Sequence, residues 1–389
     1  MLLNIIAAVI PIAVLQLVVL PLMAADMDPD AYGLALTLIS MISFCPSTLG
    51  NVINNIRLLH NTGGKGSERQ SDYSVIALAM AIVGALASCA FTIAYEGGVG
   101  LSTLLMLVIG FAVVVREYLI VAYRLNLNFK AILLNNICMA VGYFAGYGLF
   151  LLCGFWELVY LTGNVASLVY VFLTTTLWKE PFAVSPKLKE LISEALLLLA
   201  SGLLGRATTY ADRMVLYPLM GGQFVAVYYV ATLFGKMLSM VINPINSVVL
   251  SYVSRLSKKS DRMFWYSLAG GACGCVVVFV LTMLLARPVL GFLYPAYVDE
   301  AMGYVWIVTI ASCFAVLTTI LNPYILKFFS IKWQPALSGL FCLVYFLCCL
   351  GFLSLFGPMG FCAGVLLAEV VKLVLQIVIY VKARPEMSE

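Results

Sequence analysis

The sequence predicts an all-helical, polytopic membrane protein: about twelve transmembrane helices in two pseudo-symmetric lobes of six. Three observations predict it. The 389-residue chain is 63% hydrophobic and 10% charged, with a mean hydropathy of +1.06, whereas a soluble domain carries roughly 45–50% apolar and about 25% charged residues. The apolar residues fall into some twelve runs of the length that crosses a hydrocarbon core. The loops between the runs alternate in charge: one set holds sixteen Lys and Arg, the opposite set only Arg287. By the positive-inside rule the basic loops and both termini are cytoplasmic. The net charge of +4 lies in these short loops and serves topology, so no nucleic-acid partner is expected.

The spans are expected at 2–23, 31–56, 74–95, 99–123, 131–153, 155–178, 190–217, 224–254, 264–286, 301–328, 333–355 and 358–381. The first lacks the basic start of a cleaved signal peptide and reads as a retained span. The second contains Pro46 and the eighth Pro244, where kinks in equivalent helices are expected; in the second, Ser47, Thr48, Asn51, Asn54 and Asn55 follow ahead of Arg57. Such amides are unfavourable against lipid; they fit a hydrated cavity for sugar hydroxyls or a helix–helix contact. Arg116 and Glu117 lie toward the cytoplasmic end of the fourth span. After the sixth comes a linker, 179–189, with Pro181 and Pro186; it divides an N-terminal lobe, 1–178, from a C-terminal lobe, 190–389. The ninth span is followed by an outer segment, Arg287 to Glu300, whose apolar Pro288–Tyr294 stretch reads as interfacial. In the twelfth, Glu369 and Lys372 are three apart, the spacing of an intrahelical ion pair or of a cation or proton coupling site.

An internal repeat supports the division. Tyr32-Gly33-Leu34-Ala35, Pro46 and Arg57-Leu58 correspond to Tyr228-Tyr229-Val230-Ala231, Pro244 and Arg255-Leu256. In both copies eleven positions separate proline from arginine, and 198 separate the two prolines. Six spans lie between, so the copies share one membrane orientation, as in parallel-repeat transporters. No metal site is expected: the eleven Cys show no ligand spacing and His60 is alone. Gly63-Gly64-Lys65-Gly66 lacks the full phosphate-loop frame and reads as a loop.

The charges inside the membrane carry the functional reading. Arg206, Asp212 and Arg213 lie in the seventh span and Lys236 in the eighth. A charge at a helix centre costs about 2.5–3.5 kcal/mol on insertion scales, so each needs a partner or water. Arg206 and Arg213 are seven apart, on one face and about 10 Å apart in height, with Thr209 between them. Three cations against one Asp212 make a net positive surface. Guanidinium forks there suit phosphate or carboxylate oxygens. The alternative is a structural network in which Asp212 neutralises an arginine and the others snorkel.

Four segments carry a family resemblance: Asp30-Ala31-Tyr32-Gly33-Leu34, Gly50-Asn51-Val52-Ile53-Asn54-Asn55-Ile56-Arg57-Leu58-Leu59, Ala211-Asp212-Arg213-Met214-Val215-Leu216 and Val227-Tyr228-Tyr229-Val230-Ala231. With these the chain resembles bacterial O-antigen or polysaccharide flippases of the Wzx kind, in the MOP transporter superfamily. The likeness spans the whole chain in span number and lobe order. It implies a MATE-like pair of lobes and a central cationic cavity. It implies translocation of an undecaprenyl-diphosphate-linked oligosaccharide from the cytoplasmic to the periplasmic leaflet of the bacterial inner membrane, by alternating access, in lipopolysaccharide or related polysaccharide biosynthesis. The diphosphate ligands would be Arg206, Arg213 and Lys236. Asn51, Asn54, Asn55, Thr209 and Asp212 would line or support the cavity, and Asp212 or Glu369 would couple to H+ or Na+. No cofactor is expected. The partners would be the lipid-linked oligosaccharide, membrane lipids and polysaccharide polymerase machinery. One departure stands out. Related lipid II flippases use cavity arginines in the first helix, where this chain has only Asn4 and Gln16. Two alternatives remain. A multidrug exporter of the same superfamily would need unpaired intramembrane carboxylates. A membrane enzyme, such as a polysaccharide polymerase or an acyltransferase, would need a catalytic constellation that the short outer loops and single His do not supply.

Overall fold

The computed structural model describes residues 9–61, 70–182, 184–186, 188–253, 259–329 and 333–382. Asn4, Gly63-Gly64-Lys65-Gly66, Arg69, Lys187, Arg255, Lys258, Lys332 and Arg384 lie outside them. Among the described residues the regular structure is all helical. In order the helices are α1 (Val9–Asp26), which includes a π-helical turn at Leu15–Val19, α2 (Pro29–Phe44), α3 (Pro46–Asn61), α4 (Gln70–Glu96), α5 (Leu101–Leu119), α6 (Val121–Leu125), α7 (Phe129–Cys153), α8 (Glu157–Thr174), α9 (Leu188–Ala231), α10 (Leu233–Val253), α11 (Asp261–Leu293), α12 (Val298–Phe328) and α13 (Trp333–Lys382). Among the described residues, ten continuous helical stretches are long and apolar enough to cross a membrane, and the chain is a multi-pass membrane protein.

The twelve spans of the sequence reading map onto these helices. α9 is interrupted at Gly221 (φ 80°, ψ 172°) and α13 at Gly357 (φ 62°, ψ −147°). Positive φ is open to glycine at little cost, so each long helix comprises two spans meeting at a glycine. The eighth span runs from Gly222 through α10. The second span breaks at Cys45, between α2 and α3. Pro46 has no N–H for the Ile42 carbonyl, and its ring displaces that carbonyl. Pro244, its counterpart in the repeat, lies inside the unbroken α10. The outer segment after Arg287 departs from expectation. α11 continues through Pro288 to Leu293, because the apolar run does not stop at the arginine and a proline removes only one hydrogen bond.

Contacts gather the chain into two compact units, Met1–Val225 and Ala226–Glu389. In the first, α7 packs along α8 and α4 along α5. A core of Val52, Ile53, Ile56, Tyr73, Tyr118 and Leu119 also takes in Leu191 and Ala195 from the start of α9. An eighteen-residue apolar stretch of Pro29–His60 is 72% buried, but the corresponding stretch of α9 only 11%. That part of α9 is therefore attached along a narrow stripe. In the second unit, α11, α12 and α13 pack in sequence. Its centre is aromatic: Phe264 stacks on Tyr380 at 3.6 Å between centroids, and Tyr324 meets both rings edge-on.

Candidate functional site

The site is built on the break in the second span. At the end of α2 the hydroxyls of Ser40 and Ser43 donate to the carbonyls of Leu36 and Ile39, one turn back, at 2.8 and 3.0 Å. Their protons are thereby committed, which leaves the hydroxyl oxygens only an acceptor's role. α9 meets this stripe with its two arginines. Arg213 Nη1 donates to Ser40 Oγ at 2.7 Å. Arg206 Nη1 donates to the Ser43 carbonyl at 2.8 Å and to Ser47 Oγ at 3.0 Å. Asn51 Nδ2 donates to the Ser47 carbonyl at 2.8 Å and lies 3.4 Å from Ser47 Oγ. Ser40, Ser43 and Ser47 thus form a neutral acceptor ladder across the proline break, with an arginine at two levels and Asn51 donating to its last rung.

Charge is poorly balanced along this ladder. Arg213 is buried, 6% exposed, as is Asp212, 8% exposed. The Asp212 carboxylate accepts the backbone N–H of Arg213 at 2.8 Å. Arg206 is half-buried, and its Nε and Nη2 make no hydrogen bond among the described residues. Its guanidinium is therefore oriented on one edge by neutral oxygens and open on the other. Such a fork suits two oxygens of one phosphate or carboxylate.

The remaining candidates scatter. Thr209 lies on α9 between the arginines and is exposed, as is Asn55. Asn54 is buried, 1% exposed; its Nδ2 donates to the Glu117 carbonyl at 2.6 Å and its Oδ1 accepts from Arg124 Nη1 at 3.2 Å. It joins α3 to α5 and α6. Lys236 belongs to the second unit, where its Nζ stands 3.6 Å from the centroid of the Tyr229 ring. In the same unit Glu369 and Lys372 do not form the ion pair that their spacing allows. Lys372 Nζ lies 4.1 Å from the Phe341 ring centroid, and Glu369 Oε2 is buried without a hydrogen-bond partner. A cation over an aromatic face gains enough to compete with an ion pair whose carboxylate is itself desolvated. Arg116 and Glu117, expected toward the cytoplasmic end of the fourth span, form an ion pair inside the first unit, with Arg116 Nη1 against Met139 Sδ at 3.1 Å.

Sequence reasoning missed a second cluster, which holds the linker. Arg57 grips the Glu180 carboxylate with both Nη atoms, one at 2.7 Å, and also meets Tyr118 Oη. Asp72 accepts the Ser185 N–H at 2.8 Å and its hydroxyl. His60 joins Tyr73 Oη (2.9 Å) to Glu194 Oε2 (3.0 Å). The usable signal was charge: three acidic residues in and after the linker, opposite the charged end of the second span.

No protein-family model matches the sequence, and no curated protein matches it. Solved structures do. The chain is similar to a multidrug resistance MATE family transporter of the MOP superfamily in an inward-facing conformation: TM-score 0.73, 13% identity, covering 97% of this chain and 98% of that one. It is similar to the lipid II flippase MurJ in an inward closed conformation: TM-score 0.72, 16% identity, 99% and 88% covered. A MOP superfamily transporter from Pyrococcus furiosus, described as having a binding pocket of reverse polarity, matches with TM-score 0.63 and 13% identity over 98% and 95%. The chain has the fold of MOP superfamily transporters.

Proposed function

We propose that this protein is a flippase that moves an undecaprenyl-diphosphate-linked oligosaccharide, an O-antigen or related polysaccharide repeat unit, from the cytoplasmic to the periplasmic leaflet of a bacterial inner membrane. The observation that carries the reading is Arg206: an intramembrane guanidinium held by the Ser43 carbonyl and Ser47 hydroxyl, with its other edge unengaged. A diphosphate supplies the missing counter-charge. The amide and hydroxyl stripe of Asn51, Asn55 and Thr209 offers hydrogen bonds to sugar hydroxyls, and the polyprenyl tail stays in lipid. Arg213 serves as the second phosphate ligand, and Lys236 as a cation contributed from the C-terminal lobe. Access alternates between the lobes 1–178 and 190–389, joined by 179–189. Both termini lie in the cytoplasm, and the product passes to polysaccharide polymerase machinery. A lipid II flippase among the fold neighbours supports a lipid-linked substrate.

Transport of labelled lipid-linked oligosaccharide into reconstituted vesicles tests the reading. Arg206→Ala is expected to abolish transport while the protein still inserts. Arg206→Lys keeps the charge but loses the bidentate fork, so it retains partial activity. Wild-type transport by Arg206→Ala and Arg213→Ala alike refutes the anion site.

A second reading is a multidrug exporter, favoured by Glu369, whose buried Oε2 has no hydrogen-bond partner. An unpaired carboxylate suits a cationic drug. In the flippase reading Glu369 and Asp212 are the candidates for coupling to H+ or Na+. Efflux of a cationic dye that depends on Glu369 and ignores Arg206 would favour the exporter.

A further inference from the structure

α9 is fastened at both ends and weakly held between them. At its start, Leu191 and Ala195 are buried in the core of the first unit, and Glu194 pairs with His60. Near the Gly221 break, Tyr95 Oη donates to the Met214 carbonyl at 2.8 Å and the Gln223 N–H donates to Asp30 Oδ1 at 2.8 Å. There the backbones of Gly33 and Gly222 touch: a Cβ on Gly33 would stand 1.9 Å from the Gly222 carbonyl oxygen. Between them, Leu196 to Tyr210 are all half-buried or exposed; this stretch includes Gly202 and Gly205, and α9 meets α2–α3 through the hydrogen bonds of Arg206 and Arg213 to Ser40, Ser43 and Ser47.

We propose that the hydrogen bonds of Arg206 to Ser43 and Ser47 are an anion-operated catch: a diphosphate that takes the Arg206 guanidinium displaces these serine oxygens and lets the adjoining part of α9 bow away from α2–α3. The proposal rests on the anion site above and adds how its occupancy reaches the fold. Neutral acceptors are what such a catch requires. A carboxylate partner would hold an arginine against a phosphate, whereas a hydroxyl or carbonyl yields to the stronger charge-assisted bond. An anion binding the open edge of Arg206 first would draw the guanidinium off Ser43 and Ser47. The free energy that separates bound from latched states is then the difference between the two sets of bonds, as any ligand-driven shift demands.

A cysteine pair reads the catch. A Cβ on Gly202 would stand 3.0 Å from Thr48 Cγ2, so Gly202→Cys with Thr48→Cys, in a full-length Cys-depleted chain in vesicles, bridges α9 and α3 beside Arg206. Copper-phenanthroline crosslinking is followed with no anion, with inorganic pyrophosphate, and with farnesyl diphosphate as the lipid-linked arm. Pyrophosphate binding is measured separately by calorimetry. Both diphosphates are expected to slow crosslinking several-fold, farnesyl diphosphate at the lower concentration. Ser47→Ala removes a competitor, so it is expected to bind pyrophosphate several-fold more tightly and to crosslink more slowly without anion. If Ser47→Ala binds more weakly, Ser47 is a ligand rather than a competitor, and the catch is wrong. Arg206-dependent binding with unchanged crosslinking also overturns the catch but leaves the anion site standing. Absence of Arg206-dependent binding by either diphosphate overturns both. Slowing by inorganic pyrophosphate alone keeps the catch and overturns the lipid-linked substrate.

Discussion

Asn54 and Asn55 are neighbours of one chemical type with opposite fates. Both belong to the polar stripe of the second span, where cavity lining and helix–helix contact were equally open readings. The 100° step between adjacent helical positions separates them: Asn54 turns inward between Glu117 and Arg124, and Asn55 outward. Truncating Asn54 strands a buried carbonyl and one donor of Arg124. Asn54→Ala is therefore expected to lower stability by about 1–3 kcal/mol, and Asn55→Ala to leave it nearly unchanged; thermal unfolding in detergent compares them, and equal losses would contradict the assignment. Arg206 and Arg213 were legible as a pair on one face, because helical periodicity alone places them. Their serine partners were not, since Ser40 and Arg213 are 173 positions apart. Spacing also left Glu369 and Lys372 free to pair; a ring on the neighbouring stretch of chain, Phe341, took the lysine.

Helices were the most legible level, because apolar length and loop charge both report on the bilayer. Breaks were legible at Pro46, Gly221 and Gly357, but the kink expected at Pro244 is not a break, since α10 runs through it. The overrun of α11 past Arg287 was not legible, as a single charge at the membrane surface does not end a helix. Close approach between elements was equally hidden. Glycines look alike in sequence, but a Cβ on Gly33 would collide with the backbone of Gly222, and one on Gly205 would meet nothing within 4 Å. Gly33→Ala is expected to cost about 3 kcal/mol or more, since backbone on both sides must shift. Gly205→Ala is expected to gain about 0.5–1 kcal/mol from helix propensity. Midpoints from the same unfolding experiment check both, and tolerance of Gly33→Ala would show that the two backbones separate easily.

For the whole molecule, composition alone settled the class, and the fold neighbours agree with it over 97–99% of the chain. The sixteen-to-one loop asymmetry makes a further demand on topology. A cysteine at Lys189, in a Cys-depleted background, is expected to react with a membrane-impermeant maleimide only after the cytoplasmic side is opened; labelling in intact cells reverses the orientation. Long-range pairs such as Arg57 with Glu180 and Asp72 with Ser185 lay beyond the sequence reading, because a loop contact 113 or 123 positions away leaves no periodic trace. The fastening of α9 also bears on how the protein is made. Every hydrogen bond traced above from α9 to another helix ends on a residue translated earlier: Asp30, Ser40, Ser43, Ser47, Tyr95. When Val225 leaves the ribosome the sockets for both arginines are already in the bilayer, and at about 5–20 residues per second the rest of the chain needs roughly 10–30 s more. During that interval a helix with two buried-type cations can be retained by its nascent neighbours, with no help from the half of the protein still unwritten.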